Sequence, residues 1–139
     1  MNEPTKIRRI PISLLVLRLT VFLVMLIWTI DKFVRPEHAI SVFEHFYGMA
    51  GVGKTVAFAL GGAELLLLFA FVLGLAQRFT YGAVLLLHAL STFSSFRQYF
   101  SPFEKANILF FAAWPMLGAC FVLYYLRDLD TIRVGSPRR

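Results

Sequence analysis

Four apolar runs, Ile12–Ile30, Val56–Leu75, Phe79–Phe96 and Ala106–Tyr125, take up more than half of a 139-residue chain. Each is about 18–20 residues long, and at ~1.5 Å rise per residue that matches a hydrocarbon layer of ~30 Å. A helix buried in a water-soluble core rarely needs such length. The 58% hydrophobic content and mean hydropathy of +0.70 also exceed the usual share of a soluble domain. The pattern predicts an all-α fold: an integral membrane four-helix bundle, one membrane domain over residues 1–139, with a short amphipathic helix in the first outer loop. The remaining pieces are tails, turns and a loop from Asp31 to Thr55, too short for a soluble catalytic domain.

Three of the runs each carry one ionisable residue: Arg18, Glu64 and His88. Hydrocarbon does not solvate charge, so each needs a partner, a lined cavity or a route to the surface. Arg18 shares a face with Phe22, Met25, Thr29 and Lys32, since the spacings of four, three, four and three follow the helical repeat. It either snorkels to the near surface or pairs inward with Glu64. Counted by helical rise from the cytoplasmic ends, Arg18 lies at ~10 Å, His88 at ~13 Å and Glu64 at ~18 Å, so an arginine can bridge the gap. The expectation is a polar core of Arg18, Glu64 and His88. On the third run Tyr81, His88, Ser91, Thr92, Ser95 and Tyr99 form a polar stripe that should face protein or a wet cleft. That stripe reads equally as a structural hydrogen-bond network or a functional one. Gly61 and Gly62 let a neighbouring helix approach closely. In the fourth run Asn107, Trp114, Gly118 and Tyr125 share a side, and Pro115 is expected to free the Phe111 carbonyl and bend the helix.

The net charge of +6 comes from residues scattered over tails and turns, without the basic stripe and interleaved aromatics of a nucleic-acid surface. If both termini are cytoplasmic, Lys6, Arg8, Arg9, Arg78, Arg127, Arg133, Arg138 and Arg139 stand on that side. Lys32, Arg35, Lys54, Arg97 and Lys105 stand opposite, and the bias favours termini inside. The first run resembles a signal peptide but is too long, contains Arg18 and ends in Trp28-Thr29-Ile30-Asp31-Lys32, so it reads as a retained span. Met1–Ile10 reads as a mobile basic tail, and the chain beyond Arg127 as a polar one. The lone Cys120 reads as packing.

Between the first two runs, Pro36 opens an amphipathic stretch through Tyr47. Glu37, His38, Glu44 and His45 lie on it at spacings that permit a metal site, but no further ligand set is evident and none is assigned. Gly48-Met49-Ala50-Gly51-Val52-Gly53-Lys54-Thr55 fits the phosphate-loop pattern G-x-x-x-x-G-K-[ST]. The buried strand before it and the magnesium-binding acid elsewhere are missing, so ATP is not expected and the glycines read as a turn.

Leu17-Arg18-Leu19, Asp31-Lys32-Phe33, Gly61-Gly62-Ala63-Glu64-Leu65 and Leu73-Gly74-Leu75 with Arg78 together resemble the DoxX-like family of small four-helix bacterial membrane proteins, over about Leu14–Leu126. Thr20-Val21-Phe22 lacks the glycine usual after the family's arginine, and Ile30 stands where a small residue is usual. The resemblance implies a multi-pass protein of the bacterial inner membrane and makes Arg18, Asp31, Lys32 and Glu64 the family-type polar residues. For some members it implies association with quinone-linked or thiol-related redox enzymes. The resulting expectation is a membrane subunit of a redox assembly, with no self-contained catalytic motif. Glu64 would exchange a proton, Arg18 pair with it, and His88 donate or accept. Asp31, Lys32, Tyr81, Ser91, Thr92, Ser95 and Trp114 would line a site for a quinone-like head group. Expected partners are the bilayer, other membrane or redox subunits, or further copies of the chain. The alternatives are a non-catalytic assembly or structural subunit, and a small proton-coupled carrier.

Overall fold

The computed structural model describes residues 3–135, with side chains from Arg9 onward. Helix α1 (Glu3–Val34) is followed by α2 (Pro36–Tyr47), α3 (Lys54–Val72), α4 (Gln77–Ser94) and the short α5 (Phe96–Phe100). A 3-10 stretch, Asn107–Ala112, leads into α6 (Ala113–Tyr125), and a 3-10 turn, Arg127–Leu129, follows it. No strand occurs among the described residues.

The long helices close a ring of contacts, α1 on α3, α3 on α4, α4 on α6 and α6 back on α1. On α1 the buried positions are Leu14, Arg18, Val21, Met25 and Thr29, the three-or-four spacing that puts one stripe inward. Leu68 and Phe71 of α3, Tyr81 and Val84 of α4, and Cys120 and Leu123 of α6 complete the core with them. Three stretches are long and apolar enough to cross a membrane: Arg9–Val34, Lys54–Val72 and Asn107–Tyr125. The expected third span differs. Helix α4 begins at Gln77, so Gln77 and Arg78 join His88 and the hydroxyls within it, and its length of 18 residues is not matched by apolarity.

Two tails depart from expectation. The segment read as a mobile lead is helical from Glu3 and continues through Pro11 into α1; Met1 and Asn2 lie outside the described residues. The C-terminal segment folds back on the molecule, and the Val134 N–H donates to the Leu73 carbonyl at 3.0 Å; Ser136–Arg139 lie outside the described residues. Pro115 causes no free carbonyl either. It falls in the first turn of α6, where proline is tolerated. A backbone N–H where the 3-10 stretch passes into α6 donates to the Phe111 carbonyl.

Helix α2 ends at Gly48, whose φ of 66° is the left-handed closing residue that favours glycine. The phosphate-loop pattern is thus the turn from α2 into α3, preceded by a helix. At this corner Lys54 Nζ stands 2.5 Å from a Glu37 carboxylate oxygen, and that hydrogen bond holds the carboxyl below its ordinary value. Where α1 crosses α3, a Cβ on Gly61 would stand 2.8 Å from the Phe33 ring. The ring instead lies over the glycine and stacks on Phe58, 5.7 Å between centroids and 7° between planes. The absent side chain therefore sets the level at which the end of α1 meets α3.

At the other end, Gly74 turns the α3–α4 hairpin with φ 72°, and a Cβ there would lie 2.6 Å from Arg133 Cβ and 3.0 Å from an Arg18 guanidinium nitrogen. Gly74→Ala should therefore combine about 1–2 kcal/mol of left-handed strain with loss of the tail contact. Thermal unfolding of the purified protein in detergent checks it, and an unchanged melting temperature would contradict the close packing.

Candidate functional site

Two ion pairs hold α1 to the rest of the fold, at different levels. Arg18, 2% exposed, donates through one terminal nitrogen to Asp130 Oδ2 and to the Tyr81 hydroxyl, both at 2.7 Å. Its other terminal nitrogen donates to the Ile132 carbonyl at 2.6 Å. The Tyr81 hydroxyl in turn donates to Asp130 Oδ2 at 2.7 Å. Gln77 Nε2 donates to the Asp130 backbone carbonyl at 2.9 Å, and Arg133 donates to Gln77 Oε1 at 2.5 Å. Helix α1, helix α4 and the C-terminal segment thus meet on one guanidinium. A bare ion there would cost several kcal/mol in desolvation, which the acid, the phenol and the backbone carbonyl around the two terminal nitrogens offset. Asp130 Oδ1 and Arg18 Nε are left without a hydrogen-bond partner among the described residues.

The second pair is Lys32 with Glu64, 2.8 Å apart, their side chains 16% and 17% exposed. Beside it on α1, Asp31 Oδ1 accepts from Arg35 Nε at 2.6 Å and Asp31 Oδ2 contacts His38 Nδ1 at 2.5 Å. Asp31 therefore ties α1 to the first turn of α2, while Lys32 faces α3. The expected Arg18–Glu64 pair does not form. Lys32 is fourteen residues beyond Arg18 on the same helix, which at the helical rise is about 21 Å, so one arginine does not serve both levels. The height estimate fails because it aligned the ends of the apolar runs, whereas the packing of Phe33 over Gly61 sets the end of α1 against the middle of α3.

His88 meets neither charge. Its Nε2 lies 3.0 Å from the Ala113 carbonyl, at the start of α6. The stripe below it bonds back to the backbone of α4. Thr92 donates to the His88 carbonyl at 2.8 Å and Ser95 to the Ser91 carbonyl at 3.2 Å. Tyr99 donates to the Thr92 carbonyl at 2.9 Å. Ser91 is exposed, and Trp114 packs edge-on against Phe93 with ring centres 5.8 Å apart. Of the residues expected to line one site, Asp31, Lys32 and Glu64 gather at the α1–α3 crossing. Arg18 and Tyr81 gather at the C-terminal segment, while His88, Thr92, Ser95 and Trp114 form a third group along α4 and α6. The Thr92 and Ser95 hydroxyls are each bonded to the backbone of α4.

Sequence reasoning missed Asp130, Gln77 and Arg133. A signal for Asp130 existed: an arginine inside an apolar run needs an acid, and Arg127-Asp128-Leu129-Asp130 supplies two acids at the level of its own end of α1. Removing the carboxylate tests its place. Asp130→Ala should destabilise by about 3–5 kcal/mol, because it leaves a buried guanidinium unpaired. Arg18→Met combined with Asp130→Leu should recover most of that loss. Limited trypsin digestion gives a second readout, since cleavage after Arg133 should accelerate in Asp130→Ala alone.

Comparison with family models, with curated proteins and with solved structures finds no match.

Proposed function

We propose that the chain is a DoxX-like multi-pass protein of the bacterial inner membrane, a four-helix bundle with both termini in the cytoplasm. It works as the membrane subunit of a quinone-linked or thiol-related redox assembly. Lipid exposure is supported by the outer faces. Ile12, Val16, Leu19, Leu23 and Ile27 on α1, and Leu66 and Phe69 on α3, are all exposed, and only 22% of the apolar window of each helix is buried. Such continuous apolar surface is what acyl chains cover and water does not.

The observation that carries the functional part is the Lys32–Glu64 pair. It sits in the seam of two apolar helices, yet each side chain keeps about one sixth of its surface open. A carboxylate held by one flexible ammonium can trade that partner for a proton or for the polar head of an apolar ligand. Arg18, sealed under the C-terminal segment, serves packing instead, and His88 holds the start of α6. Asp31, fixed by Arg35 and His38, positions the end of α1 beside the pair.

A second reading, a non-catalytic assembly or structural subunit, is favoured by the internal engagement of Arg18 and His88. Glu64→Gln separates the two. The redox reading expects insertion and abundance to persist while quinone retention or partner-linked turnover falls by at least about tenfold, as for an acid whose proton transfer contributes 10²–10⁴-fold. If Glu64→Gln together with Lys32→Met leaves turnover intact with partners still co-purifying, the structural reading stands and the redox site is lost.

A further inference from the structure

We infer that the end of the molecule closed by the C-terminal segment is a binding collar for anionic phospholipid head groups. The inference rests on the membrane reading above and adds a ligand that the reading does not require.

The two ends of the fold differ in charge. Around the α3–α4 hairpin and the C-terminal segment stand Arg78, Arg127 and Arg133, with Asp128 the one acid of that segment, among the described residues, that is not paired with Arg18. Around α2, α5 and the outer turns, Lys54, Arg97 and Lys105 are matched by Glu37, Glu44 and Glu104. The excess of positive charge is therefore confined to one end, and two of its guanidinium groups are held in place. Arg127 donates to the Tyr124 carbonyl at 2.8 Å and lies 4.8 Å from the centre of the Tyr124 ring. Arg133 is tied to Gln77. Arg78 follows Gln77 directly and is exposed.

Apolar side chains share the same end. Leu73, Leu75 and Phe79 of the hairpin, and Leu129, Ile132 and Val134 of the C-terminal segment, are exposed. A tail lying in water has no use for three large apolar residues in six. A segment lying at the level where acyl chains give way to head groups would place Leu129, Ile132 and Val134 among the chains and the arginines among phosphates. Bidentate N–H donors suit phosphate oxygens, and the apolar ring commits the ligand to a lipid over a free anion.

The test uses the full-length protein, reconstituted in phosphatidylcholine vesicles with and without a minor share of phosphatidylglycerol. After mild detergent extraction the lipid that stays bound is measured by native mass spectrometry. Phosphatidylglycerol should be retained over phosphatidylcholine, with the preference falling about fivefold for each arginine removed in Arg78→Gln and in Arg78→Gln combined with Arg127→Gln. Arg133 is left intact because it also anchors Gln77. The paired lysine variants, Arg78→Lys with Arg127→Lys, should keep most of the preference and serve as the folding control. Equal retention of both lipids, or a preference that survives the glutamine variants, overturns the collar. Displacement of phosphatidylglycerol by inorganic phosphate at matched concentration also overturns it, in favour of a small-anion site. Release of the protein from vesicles by an alkaline carbonate wash would instead overturn the membrane reading itself.

Discussion

A guanidinium held inside an apolar helix dictates much of this structure. Arg18 is almost wholly buried, so an acid, a phenol and a backbone carbonyl must come to it, and they come from distant parts of the chain: Tyr81 from α4, Asp130 and Ile132 from beyond α6. Meeting that demand draws the C-terminal segment across the α3–α4 hairpin. The hairpin in turn must present a residue without a side chain, Gly74, where Arg133 lies against it. The interaction is a weak source of net stability, as buried pairs generally are, but a strong source of geometry, because every alternative leaves a charge unpaired.

The Lys32–Glu64 pair is of a different kind. It joins only α1 and α3, is partly open, and is placed by the contact of Phe33 with Gly61 more than it places anything itself. One pair is sealed and multiply bonded; the other joins one ammonium to one carboxylate and stays about one sixth exposed. That contrast separates a group enclosed by several partners from one that keeps part of its surface open.

Much of this was legible in the residues. The spacing of Arg18, Phe22, Met25, Thr29 and Lys32 marks the inward face of α1, and Pro36 and Gly48 mark the limits of α2. Gly61 marks the closest approach of α1 and α3, and Leu73–Arg78 the hairpin. The partner assignment was not legible, for a physical reason. Apolar runs look alike at every position, so nothing in them states how far one helix slides along another, and a slip of a few residues changes which charges meet. The register is fixed by the ring of Phe33 over a glycine and by a tail whose acids look like ordinary solvated ones. Tyr81 was visible as part of a stripe, but its partner lay outside any run. The hydroxyls of Thr92 and Ser95 fitted a wet cleft as well as they fit bonds to their own helix, because the same residue types serve both.

The separation of Arg18 from Asp130, 112 residues, sets a problem of order during synthesis. At ~5–20 residues per second, the arginine leaves the ribosome on the order of 10 s before the acid that neutralises it. For that interval the arginine on α1 lacks the acid that neutralises it in the folded protein, and the contact forms only once Asp130 has been made. A chain released short of Asp130 would carry all of its long helices and keep Tyr81 beside Arg18, yet lack the acid that neutralises it.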